Sequence, residues 1–156
     1  MPAHVALPAP NRASQGGMML IEALIAVLIF SFGILGLIAL QANAIKLSTD
    51  ARYRTDAALL ANQLIARLSV AAATDAASYA HRASGDTPCA PSGTESTAAP
   101  VTAWLSEVEN TLPGAAKTKQ QVKVDMANNV VVVTLCWEPN NGSQHRHTVT
   151  TQMQWQ

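Results

Sequence analysis

The most apolar segment of the chain, GGMMLIEALIAVLIFSFGILGLIAL, runs from Gly16 to Leu40. Between Met18 and Leu40 it carries a single charge, and at about 1.5 Å per residue it makes roughly 34 Å of helix. That length spans a bilayer core of about 30 Å. A secretory signal has a shorter apolar core with its cleavage site after it, whereas here the glycine pair precedes the apolar run. Residues 18–40 are therefore predicted to form a transmembrane helix that stays on the mature protein.

The single charge, Glu22, is unusual because a carboxylate at the centre of a membrane costs about 2.5 to 3.5 kcal/mol. Two explanations remain open from the residues alone. The first is an interfacial acid near a helix N-terminus, which the helix dipole favours by a few tenths to about 1 kcal/mol. The second is a functional carboxylate that keeps its place in lipid because it gains a partner.

The residues Gly17-Met18-Met19-Leu20-Ile21-Glu22 resemble the prepilin signature of type IV pilins and pseudopilins, commonly Gly-Phe-Thr-Leu-Ile-Glu. The resemblance implies cleavage after Gly17 by a membrane-embedded prepilin peptidase and N-methylation of the new amine on Met18. It also implies that Glu22 pairs with the terminal amine of a neighbouring subunit. Such pairing offsets the desolvation of two charges and fixes axial register. The chain departs from the usual signature in having Met18 in place of phenylalanine and Met19 in place of threonine. It also lacks the proline that many major pilins have in the apolar helix.

Residues 1–17 are predicted to be a polar leader peptide. Charge alone does not orient the span, because Lys46, Arg52 and Arg54 follow it closely. The resemblance places the N-terminus in the cytoplasm, with a single pass through the inner membrane and the C-terminal domain in the periplasm.

The helix is predicted to continue through residues 41–73, which contain neither glycine nor proline. Its second half is amphipathic, because apolar residues recur at three- and four-residue spacing without the sustained heptads of a free coiled coil. These residues are Tyr53, Ala57, Leu60, Ala61, Leu64, Leu68 and Ala71. Within the span, Gly33 and Gly36 are either ordinary membrane-helix glycines or points of close approach to a neighbouring helix.

Residues 74–156 are predicted to form a small globular domain. Thr74 to Pro100 is a loop by composition. A short helix follows over 102–111, with Trp104, Leu105, Val108 and Leu112 on one side. Three strands end the chain. A turn at Asn128-Asn129 joins the first two, and one at Pro139-Asn140-Asn141-Gly142 joins the last two. In the last strand one face is wholly polar and the other points toward the long helix.

The fold class is α+β, with a long N-terminal helix on a three- to four-stranded antiparallel meander, as in the pilins that the signature resembles.

Cys89 and Cys136 are the only cysteines, and an even pair in an exported domain predicts a disulfide. The spacing is unlike the Cys-x-x-Cys of redox-active pairs.

Composition and motifs give little sign of catalysis or of nucleic-acid binding. The 156 residues carry ten charges of each sign, so no basic surface indicates nucleic acid. His145 and His147 share one side of a strand and could hold zinc with Glu138 or His81. Packed or edge histidines explain them more simply. We expect no metal, no cofactor and no enzymatic activity.

Among pilin-like proteins the chain most resembles minor pilins of the PilV family, the type IV pilus modification proteins. The residues that carry this resemblance are Leu35-Gly36-Leu37, Leu40-Gln41 and the segment from Trp104-Leu105 to Leu112-Pro113-Gly114. It implies a minor subunit that joins other minor and major pilins on the inner-membrane assembly platform, and so supports pilus assembly, adhesion or twitching. Two alternatives stay open: a minor pseudopilin of type II secretion, and a signal-anchored periplasmic domain that binds metal or catalyses a reaction.

Overall fold

The structure, a computed structural model, describes residues 16–139 and 142–155. Most of the predicted leader and the Asn140-Asn141 pair of the second turn lie outside the described residues. The helices are α1 (Gly16–Ser69), α2 (Ala73–Ala76) and α3 (Ala99–Thr111), with 3-10 turns at Ala77–Tyr79 and Lys117–Lys119. The strands are β1 (Gln121–Asp125), β2 (Val130–Trp137) and β3 (His145–Gln152). The chain divides into two compact units, with the boundary between Leu47 and Ser48.

The first unit contains the N-terminal half of α1, which is exposed around its whole circumference. This helix is long and apolar enough to span a membrane. An apolar surface on every side is typical of a helix that is surrounded by lipid or by other helices, not of one that covers a soluble core.

The second unit contains the C-terminal half of α1, where the predicted stripe is confirmed. Ala57, Leu60, Ala61, Leu64 and Leu68 are buried in one core with α3 and the sheet. The predicted end of the helix is wrong, because α1 stops at Ser69 and not at residue 73. Leu68 is buried and Val70 is 84% exposed, whereas Ala71, the last residue of the predicted stripe, packs against the core from outside the helix.

The sheet is an antiparallel meander in the order β1-β2-β3, which confirms three strands. Residues 126–129 form the first turn, with Asn129 at φ 54°, a conformation that asparagine tolerates better than most residues. The alternation of Val122, Val124 and Met126 predicts a first strand that reaches Met126, but β1 ends at Asp125 and Met126 lies in this turn. Burial alternates along β3 as predicted, and its exposed positions include Arg146 and Thr148.

The connecting region between α1 and α3 is more ordered than predicted. α2 and a 3-10 turn occupy its beginning, and isolated bridges pair His81 with Val122 and Ser84 with Ser92. α3 starts at Ala99 and not at residue 102, because Pro100 fits the first turn of a helix.

The four side chains predicted on one face of α3 and just beyond it, Trp104, Leu105, Val108 and Leu112, are all buried. The Trp104 indole Nε1 donates a hydrogen bond to the Leu60 carbonyl at 2.8 Å. Past the helix, Gly114 has φ 64°, and a Cβ there would lie 2.6 Å from the Glu138 carbonyl oxygen. Only glycine therefore lets the chain pass so close to the end of the sheet.

Candidate functional site

The first candidate site is the surface of α1 from Met18 to Leu47, which we call the apolar half-helix. Its large apolar side chains are between 41% exposed, at Ile34, and 77% exposed, at Met18. These side chains would bury a large area in lipid or against other helices, at about 25 cal/mol per Å². The exposed residues among them are Met18, Met19, Leu20, Ile21, Leu24, Ile25, Val27, Leu28, Ile29, Phe30, Phe32, Ile34, Leu35, Leu37, Ile38, Leu40, Ile45 and Leu47.

Glu22 is exposed on this half-helix and is the only charged side chain between Met18 and Ile45. It lies in the second turn of α1, which begins at Gly16. The dipole of a helix acts mainly within its first turn, so the dipole gives Glu22 little stabilisation. Met18 and Glu22 are four residues apart and therefore lie one above the other on the same face.

The bond between Gly17 and Met18 lies in the first turn of α1. A protease that cuts there has to receive this turn in an unwound form, because helical backbone does not fit an extended substrate groove. Glycine lowers the cost of unwinding, since it is less favourable in a helix than alanine by about 1 kcal/mol. The pair Gly16-Gly17 therefore weakens the helix at the predicted cleavage site.

Three small residues of the half-helix are Ser31, Gly33 and Gly36. The Ser31 hydroxyl donates to the Val27 carbonyl at 2.7 Å, so its polar group is satisfied within the helix. A Cβ added at Gly33 or Gly36 would meet nothing within 4 Å. Contacts inside the chain therefore do not explain either glycine.

The second candidate site lies around Cys89 and Cys136, which form the predicted disulfide with their Cα atoms 5.6 Å apart. Cys136 is fully buried on β2, and Cys89 belongs to the connecting segment before α3. Cys89 has φ 57°, an uncommon conformation for a residue with a side chain. The disulfide thus fastens this segment to the sheet.

Gln120 and Gln121 form hydrogen bonds in the same region, and neither was identified from the sequence. The Gln120 amide donates to the Cys136 carbonyl at 2.9 Å and accepts from the Cys136 amide at 2.8 Å. The Gln121 amide lies 3.0 to 3.2 Å from the carbonyls of Arg82, Ser84 and Gly85. Strand alternation carried a signal for Gln120, because it places this residue on the inner side with Val122, where a polar side chain needs a partner.

His145 and His147 lie on the same side of β3, as predicted, but the described residues give them no third ligand. The His81 ring accepts from the Ser96 amide at 3.2 Å, and its Nε2 faces the Lys117 carbonyl at 3.0 Å, so both nitrogens are used. His145 stacks on Trp137 with ring centroids 5.5 Å apart. In residues 16–139 and 142–155, no three His, Cys, Asp or Glu side chains are grouped as metal ligands.

Three exposed carboxylates have lowered pKa values. The hydrogen bond and the charge of Lys123 lower the pKa of Asp86 below its ordinary 3.8. A hydrogen bond from Arg82 lowers the pKa of Glu95 below 4.5. Asn128 lowers the pKa of Asp125 below 3.8 through its side-chain and backbone hydrogen bonds.

Comparison with known proteins gives no match to a family model, to a curated protein or to a solved structure.

Proposed function

We propose that this chain is a minor type IV pilin of the PilV kind, which contributes to pilus assembly and through it to adhesion or twitching. The observation that carries the proposal is a lone carboxylate, Glu22, one turn after Gly17-Met18 on a helix whose apolar side chains are exposed on every side. The long helix followed by a disulfide-tied antiparallel meander supports a pilin-like fold.

In this proposal the prepilin peptidase cuts after Gly17 and the new amine on Met18 is methylated. The half-helix holds the subunit in the inner membrane, with the N-terminus in the cytoplasm and the second unit in the periplasm. During assembly the half-helix leaves lipid for a bundle of pilin helices. Lipid and the bundle both accept a helix that is apolar all round, so this transfer exposes little apolar surface to water.

Glu22 has a separate role in assembly. Its carboxylate pairs with the terminal amine of a neighbouring subunit inside the bundle, where either charge alone is costly. The pair fixes the axial register, because only one offset between the helices brings the two groups together. The subunit acts as a structural component and not as an enzyme, with other minor and major pilins and the assembly platform as its partners.

The test is Glu22→Ala, expressed where the pilus machinery is present, with the protein measured in the membrane and in sheared filaments. Loss of one member of a buried pair costs about 3–5 kcal/mol. We therefore expect normal membrane levels and strong depletion from filaments.

Ser31→Ala is the matched control on the same half-helix. The Ser31 hydroxyl is satisfied by the Val27 carbonyl, so this variant should enter filaments like the wild type. Normal incorporation of Glu22→Ala would overturn the proposed role of Glu22. Absence of the wild-type protein from pili, with presence in a secretion pseudopilus, would support the type II secretion alternative instead.

A further inference from the structure

The outer face of the sheet carries a cleft of about 370 Å³ beside the disulfide. Its floor comes from β2 and β3, where the Thr134 and Thr148 hydroxyls lie 3.3 Å apart. Its wall comes from the segment 86–91, which contains Cys89. The volume falls within the range of about 300–1,000 Å³ that is typical of small-ligand sites.

Three cations line this cleft, against one carboxylate, in a protein with no net charge. Lys123 contacts Asp86 at 2.7 Å, and Lys119 contacts Glu138 at 3.0 Å. Arg146 forms no ion pair with any residue that the structure describes. Since each lysine has a carboxylate partner, the excess positive charge of the cleft is that of the Arg146 guanidinium, which is available to a ligand.

The wall of the cleft is fixed before any ligand arrives. Ser84 and Ser92 exchange two backbone hydrogen bonds, at 3.0 and 2.9 Å, which close the segment between them into a hairpin-like loop. The Gln121 amide holds one side of this loop, and the disulfide ties its far end to β2. A preformed site loses less conformational entropy on binding.

Two of the cations, Lys123 and Arg146, lie on the two edge strands of the meander. Lys123 is on β1 and pairs with Val132, whereas Arg146 is on β3 and pairs with Cys136. Two strand spacings of about 4.8 Å separate β1 from β3, and the two register positions are offset along β2 as well. The two cations therefore approach the cleft from different edges of the sheet, which suits a short chain with an anionic group near each end.

We propose that this cleft binds a short acidic oligosaccharide, with carboxylates at Lys123 and Arg146 and sugar hydroxyls over Thr134 and Thr148. The described residues that line it include neither an aromatic ring, on which a nucleobase would stack, nor a large apolar pocket, in which a peptide side chain would anchor. Hydroxyls and cations are the groups that acidic sugars use. The inference does not rest on the proposed pilin function.

Asp86 competes with the ligand. The Asp86 side chain is 94% exposed and forms an ion pair with the ammonium of Lys123, whose side chain is 33% exposed. A ligand carboxylate has to displace Asp86 from this ammonium. Removing the Asp86 charge therefore strengthens ligand binding, whereas removing the Lys123 charge weakens it.

The experiment measures binding of fluorescent oligogalacturonate, a chain of uronic acids, to the full-length protein in non-ionic detergent. Lys123→Gln and Arg146→Gln should each weaken binding about two- to fivefold, the effect of losing one exposed ion pair. Asp86→Asn should tighten binding by about two- to threefold, as expected for removing one exposed competing charge. Arg54→Gln removes an exposed cation on α1, outside the cleft, and should change nothing.

Lys123→Arg keeps the charge and should bind nearly like the wild type, which separates loss of charge from misfolding. A neutral malto-oligosaccharide of the same length should not compete. The proposal is overturned by lack of binding, or by equal weakening in Arg54→Gln. It is also overturned if single-stranded DNA of matched charge binds as tightly with the same dependence on Lys123 and Arg146.

Discussion

The two halves of α1 differ both in the distribution of their apolar residues and in what surrounds those residues. From Met18 to Leu47 every described side chain is exposed, whereas from Ala57 to Leu68 one face is buried against α3 and the sheet. The second half can be explained by contacts inside the chain. Contacts among the described residues leave the apolar side chains of the first half exposed, a surface typical of a helix in lipid or among other helices.

The strongest test of this contrast compares a core residue with a residue of the half-helix. Trp104→Ala should lower the free energy of unfolding by about 3–5 kcal/mol, because it leaves a cavity and removes the hydrogen bond to Leu60. Leu35→Ala, at a side chain that is 61% exposed, should change it by less than about 0.5 kcal/mol. Urea unfolding of the full chain in detergent, followed through the emission of the tryptophans that each variant retains, measures both. Equal losses would mean that the half-helix packs within the chain.

Loss of the disulfide should give the next largest change in the free energy of unfolding, and this change concerns only the second unit. Replacing both Cys89 and Cys136 by serine should lower the free energy of unfolding by about 2–4 kcal/mol, since the bridge closes a sequence separation of 47 residues. The same unfolding measurement with and without reductant on the wild type is the control. An unchanged midpoint after complete reduction would show that the hydrogen bonds of Gln120 and Gln121 suffice to hold the segment.

The smallest effect is a pH dependence at the first turn of the sheet. Asp125 accepts from the Ala127 and Asn128 amides, both at 3.0 Å, and its pKa is lowered. Its contribution to stability is therefore present above about pH 3.8 and is lost as the pH falls through the lowered native pKa.

Asp125→Asn should make the fall in stability below pH 4 shallower, without abolishing it, because Asp86 and Glu95 also have lowered pKa values. Asp75→Asn, which removes an exposed carboxylate with no hydrogen bond to another described side chain, is the matched control. Identical acid profiles for wild type and Asp125→Asn would contradict this role of the turn.

Local patterns predicted the parts of the fold that depend on local chemistry. The three- and four-residue spacing gave the buried stripe of α1, and alternation gave the two faces of β3. The end of α1 was missed because alanine-rich sequence carries no stop signal at Ser69. The chain turns after Ser69 and still returns to the core, because Ala76 and Tyr79 are buried in it, which is a tertiary effect.

The details of the second unit depend on long-range contacts that no local pattern encodes. His81 and Gln121 fasten the connecting segment through bonds to residues that are far along the chain. The cleft exists only because β1, β3 and the segment around Cys89 meet. The half-helix differs from the second unit in this respect. Its signature around Glu22 can be read from adjacent residues, whereas the partner that the signature implies is another molecule.

Mass spectrometry of the mature protein, isolated from membranes of a host with a prepilin peptidase, tests the proposed pilin assignment most directly. The account predicts a polypeptide that begins at Met18 and carries one methyl group on its terminal amine. A chain that begins at any other residue, or an unprocessed chain that still contains Gly17, would contradict it.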